Sequence, residues 1–92
     1  MSFYLKDPHS RIDYSIDWIA YLDGQTVADS EWTVTPDEEG GIAVEAESFD
    51  LIRSAVRLSG GVEGRVYSVS NLVTLSDGSR EHRSICLRVE ER

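Results

Sequence analysis

The chain has one cysteine, Cys86, one methionine and two prolines in 92 residues. A single thiol cannot close an intramolecular disulfide, which suits a reducing compartment or an assembly built in one. No stretch approaches the roughly 18 apolar residues that cross a bilayer, so no membrane partner is expected. The opening Met-Ser-Phe-Tyr-Leu-Lys-Asp-Pro has no apolar core of signal-peptide length, and synthesis without a secretion signal is expected. Positive charge is also scarce. Nine bases face seventeen acids, for a formal charge of −8. That balance repels phosphates and argues against direct nucleic-acid binding, which depends on clustered Lys and Arg. Arg80, Arg83, Arg88 and Arg92 give the C-terminal end a local basic bias, read as a solvated strand face and tail.

The residues of catalysis and metal binding are equally thin. For nucleophile–base chemistry the chain has two histidines and one cysteine to offer. His82 and Cys86 are four apart on one strand face, which separates their Cα atoms by roughly 13 Å, too far for a direct pair. One Cys and two distant His make no four-ligand zinc set. Asp37, Glu38 and Glu39, with Asp7, Asp13 and Asp17, lack the spacing of a calcium loop and read as acidic surface. Gly60-Gly61-Val62-Glu63-Gly64 has neither the Lys nor the following helix of a phosphate loop, and reads as a corner between strands. The expectation is a non-enzyme with no metal and no cofactor.

What the chain does have is alternation. Tyr67, Val69, Asn71, Val73 and Leu75 share one face of a period-two run, with Ser68, Ser70 and Thr74 on the other. Asp77-Gly78 then signals a hairpin, since Gly accepts positive φ and Asp tolerates it. The closing run places Arg83, Ile85, Leu87 and Val89 on one face and His82, Ser84, Cys86 and Arg88 on the other. Earlier, Tyr14, Ile16, Trp18, Ala20 and Leu22 alternate up to Asp23-Gly24. Short strands are expected around residues 26–28 and 31–35, with Trp32 and Val34 inward, and again across Ile42, Val44 and Ala46 and over residues 54–59. Residues 48–52 read either as a turn with a buried Phe49 or as a short helical crossing.

About seven strands with turn signals every eight to twelve residues predict an all-β, immunoglobulin or fibronectin-III-like antiparallel sandwich. A Tyr early in the penultimate strand, after a Gly-rich corner, matches the tyrosine corner of such folds. Trp18, Trp32, Tyr67, Asp77 and Gly78 are the expected structural residues. Val34, Val56, Leu58, Val69, Val73, Ile85, Leu87 and Val89 complete the expected core. Residues 1–12 read as an N-terminal arm and 13–92 as one domain. Phe3, Tyr4, Leu5 and Pro8 are the candidate interface residues, on the arm or folded back over an open end of the sandwich.

Several segments in order carry a resemblance. They are Asp7-Pro8, Asp-Tyr-x-x-Asp-Trp-x-x-Tyr-Leu over 13–22, Thr-Val-Ala-x-Ser-x-Trp-Thr-Val over 26–34, Leu-Ser-Gly-Gly-x-x-Gly-x-x-Tyr-x-Val-x-Asn over 58–71 and Arg-Ser-Ile-x-Leu-x-Val over 83–89. Together they resemble a family of small virion proteins from tailed bacteriophages and prophages, of the fibre–tail adaptor type. The resemblance implies a structural protein of the tail, made in the host bacterial cytoplasm and present in several symmetric copies. Its partners would be other virion proteins: tail, adaptor or fibre. Head–tail joining and decoration are the alternatives within that setting. A carbohydrate- or host-binding sandwich using Trp18, Trp32 or Tyr21 is the alternative outside it.

Overall fold

The computed structural model describes residues 2–91, with the side chains of Ser2 and Phe3 outside that description. Seven strands and one helical turn follow in the order β1 (Ser2–Lys6), β2 (Ile12–Asp17), α1 (Ile19–Leu22), β3 (Val27–Thr35), β4 (Ile42–Phe49), β5 (Arg53–Gly60), β6 (Val66–Leu75) and β7 (Arg80–Val89). They form two packed sheets, β1-β7-β6-β3 and β2-β5-β4. All pairings are antiparallel except β1 with β7. This is an immunoglobulin-like sandwich.

Alternation fills the space between the sheets. β5 sends Ser54, Val56 and Leu58 inward, β6 sends Tyr67, Val69, Asn71, Val73 and Leu75, and β7 sends Ile85, Leu87 and Val89. Trp18 and Trp32 are buried with them. Burying a large aliphatic or aromatic side chain contributes roughly 1.5–3 kcal/mol, so these positions carry most of the drive to fold. Val34 is half-buried rather than enclosed, because β3 is an edge strand and its flank stays open.

Strand membership departs from the sequence expectation at four places. The run over residues 13–22 leaves the sheet at Asp17, whose Oδ1 accepts the Ile19 N–H at 3.0 Å and starts a single helical turn. Leu22 is still buried, because Trp18 and Leu22 are one helical turn apart and share a face. The two short strands expected near residues 26–28 and 31–35 are one strand with a bulge between Val27 and Asp29. The extra residue shifts the phase, so Val27 and Trp32, five positions apart, both face inward. Phe49 is neither buried nor in a helix. It ends β4 half-exposed, and Asp50 turns the chain by accepting the N–H groups of Ile52 and Arg53 at 2.9 and 2.8 Å.

Last, the first strand is part of the sheet. Residues 2–6, at the start of the segment expected as an arm, pair in register with Ile85–Val89. What holds this strand is Lys6, the sole lysine of the chain. Its residue is 1% exposed, and its ammonium donates to the carbonyls of Asp7, Ser10 and Gly60 at 2.9, 2.7 and 2.7 Å. Three N–H donors meet three acceptors, the condition under which a charge is tolerated inside. Burial lowers the Lys6 pKa from its ordinary value, opposed by the Asp7 and Glu45 carboxylates.

Candidate interaction surfaces

The strand register sorts the loops into two ends. One end carries the β1–β2, β3–β4 and β5–β6 connections, the other α1, the β4–β5 turn and the β6–β7 turn. At the first end Tyr67 is fully buried, and its hydroxyl accepts the Val62 N–H at 3.0 Å and donates to Glu38 Oε1 at 2.7 Å. Burial raises the Tyr67 pKa above its ordinary value and the Glu38 carboxylate adds to the rise, while the Val62 N–H opposes it. Gly61 closes this corner at φ 112°, and a Cβ there would stand 2.6 Å from Val89 Cγ2. No larger residue fits without displacing the core.

At the second end, Asp77 and Gly78 turn β6 into β7. Asp77 Oδ1 accepts the Ser79 N–H at 2.9 Å and the Ser79 hydroxyl at 2.5 Å. Those bonds hold the Asp77 carboxyl below the usual range. Gly78 takes φ 88°, and its N–H donates to the Leu75 carbonyl at 2.9 Å. Between the ends a polar chain crosses the interior. Trp18 Nε1 donates to Ser54 Oγ at 2.9 Å, and the Ser54 hydroxyl donates to Asn71 Oδ1 at 2.6 Å. Asn71 Nδ2 then reaches Ser30 Oγ at 2.9 Å and the Glu31 carbonyl at 3.1 Å. The alternation had put Asn71 on the inward face, the one sign in the sequence of a buried polar bridge. Nothing in the sequence marked Lys6 as buried.

Both tryptophans lie inside, so they offer no exposed platform for stacking a sugar. Among the described residues no three His, Cys, Asp or Glu side chains gather as metal ligands. Among the described residues no helix is long and apolar enough to cross a membrane. An open depression of about 380 Å³ on the outer face of the three-stranded sheet is lined by Asp13, Ala46, Glu47, Ser48, Ala55, Val56 and Arg57. Its Asp13 carboxyl is held below the usual range by a 2.8 Å bond from Arg57 Nε.

Several large apolar side chains also stand exposed. Tyr4 and Leu5 on β1 are 44% and 49% exposed, and Tyr4 leans on Tyr14 of β2 with ring centroids 5.8 Å apart. Leu5 is in register with Arg88, which is in register with the exposed Val66. Pro8 is half-buried in the connection that follows, and the Phe3 side chain lies outside the described residues. At the far end Ile19, Tyr21, Phe49 and Leu51 are exposed.

Comparison with known proteins agrees with this geometry. No curated protein sequence matches the chain. Among solved structures, the chain is similar to the PKD domain from KIAA 1837 protein, at a TM-score of 0.57 and 15% identity, over 99% of this chain and 80% of that one. At that identity the likeness shows the fold alone. Residues 6–88 match the family described as podophage GP4 fiber-tail adaptor protein gp77. Spanning nearly the whole sandwich, that match shows that the chain belongs to the podophage fibre–tail adaptor family.

Proposed function

We propose that this chain is a structural protein of the phage tail that joins tail fibres to the tail through protein–protein contacts and carries out no catalysis. The observation that carries the reading is the adaptor-family match over residues 6–88. The use of the polar side chains supports it. Lys6 anchors β1, Tyr67 and Glu38 close a corner, and Ser54 and Asn71 tie the sheets together. Groups that another protein would devote to chemistry are here bonded to one another inside the fold.

The chain works as several symmetric copies, made in the host cytoplasm and built into the tail. One contact is made by the edge strand β1 and the segment after it, through Phe3, Tyr4, Leu5 and Pro8. An edge strand with half-exposed aromatic and aliphatic side chains is a natural docking element.

Particles assembled without this chain test the reading. They should have normal heads and tails by electron microscopy but no fibres, and purified protein should restore the fibres. Particles that keep their fibres and instead lose tails or leak DNA would place the chain at the head–tail joint.

A further inference from the structure

Among the described residues, four of the eight large apolar side chains left exposed stand at the end of the sandwich opposite the tyrosine corner. Ile19 and Tyr21, on α1, are 62% and 46% exposed, and Phe49 and Leu51, at the β4–β5 turn, are 45% and 64% exposed. Single exposed apolar residues are ordinary on any protein. These four are different because they are fixed to one seat. The Trp18 N–H donates to the Ile52 carbonyl at 2.9 Å and the Val27 N–H to the Leu51 carbonyl at 2.8 Å, which joins α1 and the start of β3 to the turn. Phe49 is in register with Ser54, whose hydroxyl holds the Trp18 indole. That indole lies edge-on to Tyr21 with ring centroids 5.5 Å apart. Asp17 and Asp50 fix the two loops through their backbone N–H groups. A loop backbone already ordered loses little further freedom on binding, and buried aromatic and aliphatic anchors dominate interface energies.

Charge decides what docks there. Asp17, Asp23, Asp50 and Asp77 belong to this end, against Arg53 and Arg80. Arg53 is already engaged by Asp17 at 3.6 Å. The tip is therefore apolar with an acidic border. A second copy would bring the same border against it, on a chain of net charge −8. Like charges juxtaposed at an interface suppress that pairing. We propose that this tip docks a different protein of the particle, one presenting an apolar recess bordered by Arg and Lys. The proposal rests on the adaptor reading. An adaptor must hold two neighbours, and this tip is separated from the Leu5–Val66 surface by roughly the 33 Å length of a ten-residue strand.

The test places the photo-crosslinking residue p-benzoylphenylalanine at Leu51 in assembled particles. Irradiation should join this chain to a different virion protein, through a peptide that carries Lys or Arg beside apolar residues. Ile19→Glu should lower both that adduct and the amount of chain retained on particles by about tenfold, the scale of an interface hot spot. Its thermal midpoint, measured on the purified protein, should be unchanged. A chain present in particles that crosslinks only to another copy of itself, or to nothing, overturns the proposal, as does an adduct with an acidic segment. Full retention of the Ile19→Glu and Leu51→Glu variants overturns it as well. If the wild-type chain is absent from particles altogether, the adaptor reading fails first and takes the proposal with it.

Discussion

Replacing Ser54 with Ala should be among the most damaging single-atom deletions in this domain. Ser54 Oγ sits between a donor and an acceptor that have no water to turn to: Trp18 Nε1 at 2.9 Å and Asn71 Oδ1 at 2.6 Å, all three residues fully buried. Ala removes the acceptor of the first and the donor of the second. Each orphaned buried group costs about 1–3 kcal/mol, so two give about 2–6 kcal/mol. Asn71 cannot swing away to find another partner, because its Nδ2 is held by Ser30 and the Glu31 carbonyl. A domain of this size has about 5–14 kcal/mol of total stability, so the loss is a large fraction of it. Urea unfolding followed by far-UV circular dichroism should show a lower midpoint with an unchanged slope. At about 4–8 °C per kcal/mol, the thermal midpoint should fall by at least about 8 °C. Adding Asn71→Leu to Ser54→Ala should cost less than the two single changes summed, since the acceptor left without a donor is then gone. A Ser54→Ala loss below about 0.5 kcal/mol, or strict additivity in the cycle, would refute the claim that this chain of bonds ties the sheets together.

The other end of the fold gives three further tests. Tyr67→Phe strips the Val62 N–H of its acceptor and should cost about 1–2 kcal/mol at neutral pH in urea unfolding. Because the folded Tyr67 pKa is raised, the unfolded chain releases that proton first above about pH 10, and the advantage of wild type over Tyr67→Phe should shrink as pH rises further; a gap that widens instead would contradict the burial of the hydroxyl. Gly61→Ala combines a positive φ with a Cβ 2.6 Å from Val89 and should destabilise by about 1–3 kcal/mol, read as a drop in thermal midpoint, whereas Gly64→Ala, with open space around it, should cost less. Lys6 should resist acetylation in the native protein and react in step with urea unfolding, as followed by mass spectrometry. Rapid native-state acetylation would mean that β1 detaches from β7 on its own.

The parts of the fold that could be read from the sequence are those governed by period two. β6 and β7 alternate without interruption over ten residues each, and their faces follow directly from spacing. The misread parts are those where one residue resets the phase. The bulge near Ala28 made one strand look like two, and the Asp17 side chain ended β2 five residues before the apolar alternation stopped. The bulge exists only in the pairing with the distant strand β6, and the Asp17–Ile19 bond, though local, competes with a run of β-branched and aromatic residues that favours a strand. β1 was hidden for a related reason. Its pairing with β7 spans the whole chain, and the feature that fixes it is a lysine whose three acceptors come from residues 7, 10 and 60. A charged residue reads as exposed until its acceptors are known. Of the surfaces, the exposed Tyr4 and Leu5 on β1 belong to an apolar run that was visible in the sequence. The tip was not, because α1 and the β4–β5 turn, which carry Ile19, Tyr21, Phe49 and Leu51, are joined only by tertiary backbone bonds.

Charge and apolar contact should separate in the kinetics of assembly. On the proposed docking, seventeen acids against nine bases would keep free copies apart and draw a basic partner in. At physiological salt the Debye length is about 8 Å, so this attraction acts only as surfaces come together. On the proposed contacts, the apolar residues of β1 and of the tip would act later, as water is expelled between the surfaces, and set how long the contact lasts. Border charges at an interface therefore govern mainly the association rate. Raising sodium chloride from about 0.05 to 0.5 M should slow capture of this chain by fibre-less particles while its release rate stays nearly constant. Leu51→Glu should do the reverse, speeding release with little effect on capture. If salt instead accelerated release, the contact would depend on ion pairs at its centre, and the assignment of the carboxylates to its border would be wrong.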